Sequence, residues 1–464
     1  MRTVAIVGSG LAGLVAAHAL RREGYAVTLY SDRTAEQWLH ESRPTGTAAR
    51  FELALSVERD LGLNHWDDVA PRGEGVFLTF CPTPHNQLVH LRGRTPTPFQ
   101  AVDLRLQCHR WMNDFDGLLE IEQVTPARLE TIAARHDLTL VAAGRADLCQ
   151  LFARDDARSV YTKPQRHLAM VITHGASMRV GGCPFTPVKF NFLGTDGEIF
   201  FVPYHHKDHG PSWNILFEAK PGSRMDRFQF AKSGEEVLSL AKEVVGDLFP
   251  WDAAWMEPMQ LADANGWLVG RFTPTVRHPV ATLPSGAAVM ALGDTAISYD
   301  PIAAQGANSG VKQARHLVNA IVARGDAPFD ARWMRETFDA FYDEHARAAC
   351  AFSNLLLEPI TAPAKEILIA QYGSDGRSET AQQQIADAFF ANFNDPRELT
   401  PAFTDMKLAR TFIERTTGRS WLRSGVRGRA GIAAGQLRQL MQRASQRRDR
   451  ATAAAPRTHP TSAH

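Results

Sequence analysis

The chain lacks most of the marks that betray specialised classes of protein. It has five cysteines among 464 residues, Cys81, Cys108, Cys149, Cys183 and Cys350. They are scattered, odd in number, and make neither a CxxC pair nor a Cys/His metal spacing, which excludes a disulfide framework and fits a reducing, cytoplasmic setting. Lys+Arg 51 against Asp+Glu 50 leaves a formal charge of +1, so no global field attracts nucleic acid or anionic lipid. No segment carries the roughly 18 to 20 apolar residues that span a bilayer. The run from Val4 to Leu20 looks superficially like a secretory leader, but three glycines interrupt it and Arg21-Arg22-Glu23 follow. A hydrophobic share of 44% and a charged share of 22% describe an ordinary globular chain with a large core.

Against these absences, "TVAIVGSGLAGLVAAHALRREGYAVTLYSDR" carries a dense signal. A short apolar strand (4–7) runs into Gly8-Ser9-Gly10-Leu11-Ala12-Gly13, then into a helix with Leu14, Ala17 and Leu20 on one face. A second strand (26–30) ends at Ser31-Asp32-Arg33. Gly8 permits the tight turn, Gly10 admits a pyrophosphate against the backbone, and Gly13 allows close helix–strand packing. The helix N-terminus aims its free N–H groups at the phosphates. Asp32 is the candidate for the ribose hydroxyls, with Ser31 as the alternative; Arg33 lies along the adenosine or is surface charge.

The third strand of this unit lies within "DLTLVAAGRADL" and ends in Ala143-Gly144-Arg145. Far downstream, "LGDTAISYDPIAAQGAN" (292–308) combines a strand end at Gly293-Asp294, a loop through Pro301, and a helix opening at Gly306-Ala307-Asn308. Asp294 is placed to accept from a ribityl hydroxyl. The helix start offers N–H groups where negative charge gathers on a reduced flavin ring. A second GxGxxG, often supplied by a nicotinamide domain, is missing. The two-ended clamp points to FAD.

With these residues in place, the chain resembles the styrene and indole monooxygenases, FAD-dependent epoxidase components of two-component systems. The likeness rests on "VTLYSDR", "AVDLRL" (101–106), "KPQR" (163–166), "LGDTAISYDPIAAQGAN" and "FFANFNDPRE" (389–398), in register from residue 1 to about 418. The resemblance implies an α/β fold: a Rossmann-type FAD-binding domain of the p-hydroxybenzoate hydroxylase kind, an inserted β-sheet substrate domain, and C-terminal helices. The expected boundaries are 1–165 with 266–330 for the FAD domain, 166–265 for the β-rich domain, 331–418 for the helices, and 419–464 for a basic, solvated, disordered tail. A docking segment for a partner is the alternative for that tail.

The same resemblance implies a chemistry. Reduced FAD delivered by an NAD(P)H:flavin reductase reacts with O2 to a C4a-hydroperoxyflavin, which epoxidises or hydroxylates an aromatic alkene, indole or related electron-rich substrate. A homodimer is expected, with neither nucleic acid nor stable membrane insertion. "SRPTGTAARF" (42–51) corresponds to the family segment that lines the flavin and substrate cavity: Arg43 and Thr47 match, whereas Gly46 stands where the family has Asn. Arg43, Gly46, Thr47, Pro301 and Asn308 are thus the expected residues of the reaction centre, and Arg105 the expected contact of the FAD phosphate or ribose. The Ala143-Gly144 pair replaces the Asp-Gly of single-component hydroxylases, and Gly-Asp-Thr-Ala-Ile replaces their GDAAH. Both departures argue against direct NAD(P)H use, the competing enzymatic reading; a non-catalytic flavin-binding protein is the other alternative. "PWDAAWMEP" lacks the W-x-W-x-I-P of flavin halogenases. The histidines of "YHHKDHG" (204–210) follow no metal-ligand pattern and read as a polar turn between strands.

Overall fold

The structure, a computed structural model, describes residues 1–144 and 147–453. The apolar strand at the N-terminus spans Thr3–Val7 and lies inside a six-stranded sheet. Ala26–Ser31 and then Leu118–Ile121 pair parallel on one side of it; Leu138–Val141 and then Ala288–Ala291 pair parallel on the other. Val280–Thr282 closes that side as an antiparallel edge. The first, second and fourth of these strands bury both faces, which is why they read as unbroken apolar runs rather than alternating ones. Strand order reverses between Thr3–Val7 and Leu138–Val141, opening a crevice beyond their C-terminal ends. The glycine loop and Gly144 both stand at that crevice.

The helix Leu11–Arg22 packs against Gln305–Arg324, the twenty-residue helix that ends the "QGAN" motif. The approach is close: a Cβ on Gly310 would stand 3.4 Å, and one on Gly293 2.9 Å, from the Cβ of Ala12. Two motifs almost three hundred residues apart therefore meet at small side chains.

A second sheet runs in the order Gln260–Leu261, His167–His174, Gly210–Ala219, Gly197–His206, Pro187–Leu193, Gly73–Cys81, Val89–Ala101, Ala49–Arg50. Trp267–Gly270 also pairs with His167–His174. Side chains alternate in the manner of a strand with two covered faces. Met170, Phe190, Phe200, Val202 and Leu216 belong to one core, shared with the C-terminal helices. Val171, Ile199, Phe201, Ile215 and Phe217 belong to another, capped by the helix Gly234–Leu248.

Two expected boundaries need correction. The β-rich unit does not begin at residue 166, because three of its strands (Ala49–Arg50, Gly73–Cys81 and Val89–Ala101) come from the stretch assigned to the FAD domain. Gly73–Cys81 pairs parallel with Pro187–Leu193, a junction over a hundred residues apart that local periodicity does not reveal. The segment after residue 419 is not simply a disordered tail: Trp421–Ala453 is helical. Its glycines, which lower helix propensity, make a seam. A Cβ on Gly428 would lie 2.1 Å from the Ile369 carbonyl, and one on Gly431 2.4 Å from the Tyr372 ring. The expected polar turn is also shorter than 204–210, since the strands of that hairpin run to His206 and from Gly210. Among the described residues no helix is long and apolar enough to cross a membrane.

Candidate functional site

The crevice of the parallel sheet and the inner face of the second sheet enclose one continuous cavity of about 830 Å³. Its first end is the glycine loop. Gly8 sits at φ +118°, donates its N–H to the Tyr30 carbonyl at 2.9 Å, and would place a Cβ 2.3 Å from the Ala142 carbonyl. Gly13 is equally closed, its Cβ falling 2.1 Å from the Gly8 carbonyl. Gly10 differs: nothing lies within 4 Å of its Cβ position, which faces the cavity. Two glycines are thus required by the protein's own packing, and the third by what the cavity receives.

Leu11 and Ala12 continue this wall, and Asp32 and Arg33 close it. Arg33 donates to Asp32 at 2.9 and 2.7 Å and to Ser42 Oγ at 2.9 Å, and stacks over Trp38. Ser31, the alternative ribose contact, does not face the cavity. It is buried, with its hydroxyl 2.6 Å from Ser9 Oγ and donating to the Arg33 carbonyl at 2.5 Å. That correction leaves Asp32 as the expected ribose contact that faces the cavity.

The other end is built by residues 293–307. Gly293, Asp294, Pro301, Gly306 and Ala307 all face the cavity. Asp294 Oδ1 lies 3.9 Å from the Cβ position of Gly306, so carboxylate and helix start are neighbours. Ala304 caps this helix in the left-handed region at φ +52°, and no side chain caps the first turn. Its leading N–H groups and positive dipole end remain for a ligand. Asn308, expected beside the ring, does not face the cavity. Its Oδ1 accepts from Phe51 N at 2.9 Å, while its Nδ2 donates to the Ala49 and Ala304 carbonyls at 2.8 and 2.6 Å. It is a clasp between two walls rather than a contact.

Those walls include Arg43, Gly46, Thr47 and Ala48. Arg43 stacks on Trp267 at 3.9 Å, and Thr47 Oγ1 donates to Asn214 Oδ1 at 3.0 Å. Around Gly46 nothing lies within 4 Å of a Cβ, so the missing amide leaves open space. Gly144, at φ +64°, faces the same cavity.

Arg105 is corrected outright. Its guanidinium is 0% exposed and spent on two carboxylates away from the cavity: Asp103 at 2.7 and 2.9 Å, and Asp263 at 2.8 and 2.9 Å. His206, one of the supposed turn histidines, joins this network 2.7 Å from Asp263. Burial pushes Asp263 up, but the bonds from His206 and Arg105 outweigh it and hold the carboxyl well below its ordinary range.

Sequence reasoning missed the far wall altogether. Met170, Phe190, Phe200, Val202 and Leu216 project from alternate positions of four strands, joined by Phe393 from the turn after the helix Ala381–Ala391. The signal was the period-two alternation in "VKFNFLG" and "EIFFVPY", but alternation alone does not say which face meets a cavity. The whole cavity suits a long ligand with a phosphate-bearing middle and an apolar compartment beyond, and its donors, glycines and volume fit FAD with room for a second small molecule.

Comparison with known proteins agrees. A family model described as "Styrene monooxygenase A putative substrate binding domain" matches residues 144–254, and one for an NAD(P)-binding Rossmann-like domain matches residues 6–59. Styrene monooxygenase StyA of Pseudomonas fluorescens is 27% identical over 414 residues, covering 87% of this chain and 95% of that protein. Among solved structures, a flavoprotein/dehydrogenase from Cytophaga hutchinsonii superposes with a TM-score of 0.61 at 11% identity, over 89% of this chain and 98% of that one. The tetrameric form of 2-methyl-3-hydroxypyridine-5-carboxylic acid oxygenase gives 0.52 at 16% identity, over 91% and 99%. These two share the fold. In its motifs, family model and relatives the chain is similar to the styrene monooxygenases, and it is a flavin-dependent monooxygenase with FAD as cofactor and O2 as co-substrate.

Proposed function

We propose that the chain is the oxygenase component of a two-component system: it takes reduced FAD from a separate reductase and oxygenates an apolar, electron-rich aromatic such as an aryl alkene or indole. The observation that carries this reading is the single cavity running from the glycine loop to an aromatic and aliphatic wall with no ionisable side chain among Met170, Phe190, Phe200, Val202 and Leu216. Residues 8–13 and Asp32 would hold the adenosine diphosphate half, Asp294 the ribityl chain, and the helix start at Gly306-Ala307 the pyrimidine edge of the ring. Gly144, Gly293 and Pro301 would lie along the cofactor.

Bound reduced FAD supplies the activation of oxygen. The chain's part is to position and to exclude water, which is where such an enzyme gains efficiency. Arg43, Gly46 and Thr47 would border the reacting face, with Thr47 fixed by its bond to buried Asn214. Asn308 positions both walls without touching the ligand. The open space at Gly46 favours substrates bulkier than a single vinyl-substituted ring. In domain terms, the crevice sheet would form the cofactor unit, and the second sheet the substrate unit, with its strands from residues 49–101 included.

The test is product analysis with chemically reduced FAD, oxygen and a panel of aryl alkenes, indoles and sulfides. Epoxide, hydroxylated or sulfoxide products are expected; their absence across the panel would favour a non-catalytic flavin carrier. Rapid flavin bleaching by NADH or NADPH without a reductase would overturn the two-component reading.

A further inference from the structure

The helix Trp421–Ala453 has two unlike faces. Its inner side is the glycine seam, with Trp421 and Ile432 packed against the core of the C-terminal helices. Its outer side carries Leu422, Val426, Ala430, Ala433, Leu437 and Met441, each three or four residues from the next, which makes one stripe along the helix. The four large members of the stripe are 54% to 59% exposed. Val322 and Leu408, the large apolar residues exposed on other helices among the described residues, stand alone.

Arginine borders the stripe on both sides: Arg423, Arg427 and Arg438 follow one edge, and Arg429 the other. Arg429 pairs with Glu366, whereas no carboxylate among the described residues pairs with Arg423, Arg427 or Arg438. Arg419, just before the helix, joins Arg423 and Arg427 around a small cavity of about 120 Å³, lined also by Gln382. Gln382 is 5% exposed, and its Nε2 has no acceptor within reach. A buried unpaired donor beside three unpaired cations suits an anionic oxygen.

This pattern narrows the choice of what covers the stripe. Asp449 is the only acid after residue 419, so a second copy laid on this face would set arginine against arginine. An acidic protein groove would need carboxylates at fixed points along both edges of a straight stripe about 30 Å long at 1.5 Å per residue. A bilayer surface meets both edges at any point along the helix, because arginine stems lie over the apolar boundary and lift their heads to the phosphates.

We propose that the outer face of this helix docks on an anionic phospholipid surface, with the stripe at the acyl boundary, the flanking arginines at headgroup phosphates, and one phosphate seated at Arg419, Arg423 and Arg427 beside Gln382. The docking is peripheral and reversible, since the helix lies in the plane of the surface and crosses nothing. The whole chain carries a formal charge of only +1, so the attraction is local to this face and weakens with salt.

The test is flotation of the full-length protein with vesicles of phosphatidylcholine alone, or with about 30% phosphatidylglycerol, in about 0.1 M NaCl. Binding to the phosphatidylglycerol vesicles should be at least about tenfold stronger, and should be lost near 0.5 M salt. Val426→Glu and Leu437→Glu should each weaken it about tenfold, whereas Phe230→Glu, at an apolar site 80% exposed elsewhere, should change nothing. Joint Arg423→Glu and Arg427→Glu substitution should abolish the preference for phosphatidylglycerol. All these side chains are exposed, so the melting temperature and FAD affinity of each variant should match wild type, which separates lost docking from lost fold. No flotation on phosphatidylglycerol vesicles would overturn the inference in favour of an acidic protein surface. Flotation of Leu437→Glu equal to wild type would overturn it as well. So would a wild-type dimer in sedimentation that Leu437→Glu dissociates, which would assign the stripe to a second copy.

Discussion

Replacing Asn308 with alanine tests whether the cavity walls are held by this one amide. Asn308 makes three buried hydrogen bonds, to Phe51 N and to the carbonyls of Ala49 and Ala304, and is 2% exposed. Each such bond contributes about 1 kcal/mol net, and orphaned buried partners add their desolvation cost. The carbonyls can recover part of this from other donors, so the expected loss is about 2–4 kcal/mol, a substantial fraction of the roughly 5–15 kcal/mol of a typical fold. Urea unfolding followed by tryptophan fluorescence reads it directly, as a lower midpoint with an unchanged slope. Because the freed partners border the cavity, FAD affinity should fall with it. Asn308→Asp is the informative companion. It keeps the acceptor for Phe51 N but turns a second oxygen toward two carbonyls, so it should be no more stable than Asn308→Ala. A cost below about 0.5 kcal/mol for Asn308→Ala, or Asn308→Asp behaving as wild type, would refute the clasp.

Other substitutions separate fold from ligand. Gly13→Ala pushes a Cβ into the Gly8 carbonyl and should lower the melting temperature and abolish FAD binding together; Gly10→Ala meets only cavity and should weaken FAD while leaving the melting temperature of the FAD-free protein within a degree or two. Gly46→Asn has open space to enter, so it should fold normally, and product ratios across a graded panel should shift toward smaller alkenes. For Asp263 the folded carboxyl is depressed, so its contribution is present above the ordinary carboxylate value and is lost as pH falls through the folded one. Asp263→Asn should therefore be destabilised at neutral pH and show a flatter loss of stability between about pH 4 and pH 2 in acid titrations followed by circular dichroism.

Much of the cofactor end was legible because its chemistry is local. Gly8, Gly10, Gly13, Asp32, Gly293, Asp294 and Gly306 announce themselves by spacing within a few residues of a strand end, and the structure sets all of them but Gly13 on the cavity. The substrate wall was illegible for the opposite reason. Phe190, Phe200 and Leu216 are ordinary members of alternating strands, and only the pairing across the sheet decides which face encloses a ligand. Arg105 misled because a helix-opening arginine after an aspartate suits a phosphate contact and a buried ion pair equally. The partner that decides it, Asp263, lies 158 residues away. The basic composition after residue 419 suggested a solvated tail, whereas its glycines let a helix dock closely, with Ile369 and Tyr372 in the room their missing Cβ atoms leave.

The two alanines held in the left-handed region, Ala48 at φ +49° and Ala304 at φ +52°, both line the cavity, one beside and one at a carbonyl that Asn308 grips. A non-glycine residue in that conformation costs about 1 kcal/mol or more. Evolution could have placed glycine at either point and did not. Glycine would relax the torsion but would also let the empty wall wander among conformations. Ala48→Gly and Ala304→Gly should then separate two quantities that usually move together: the melting temperature of the FAD-free protein holds or rises, while FAD affinity falls. A calorimetric titration would show the deficit as a larger entropic penalty on binding. In this cavity, torsional tension is a form of readiness.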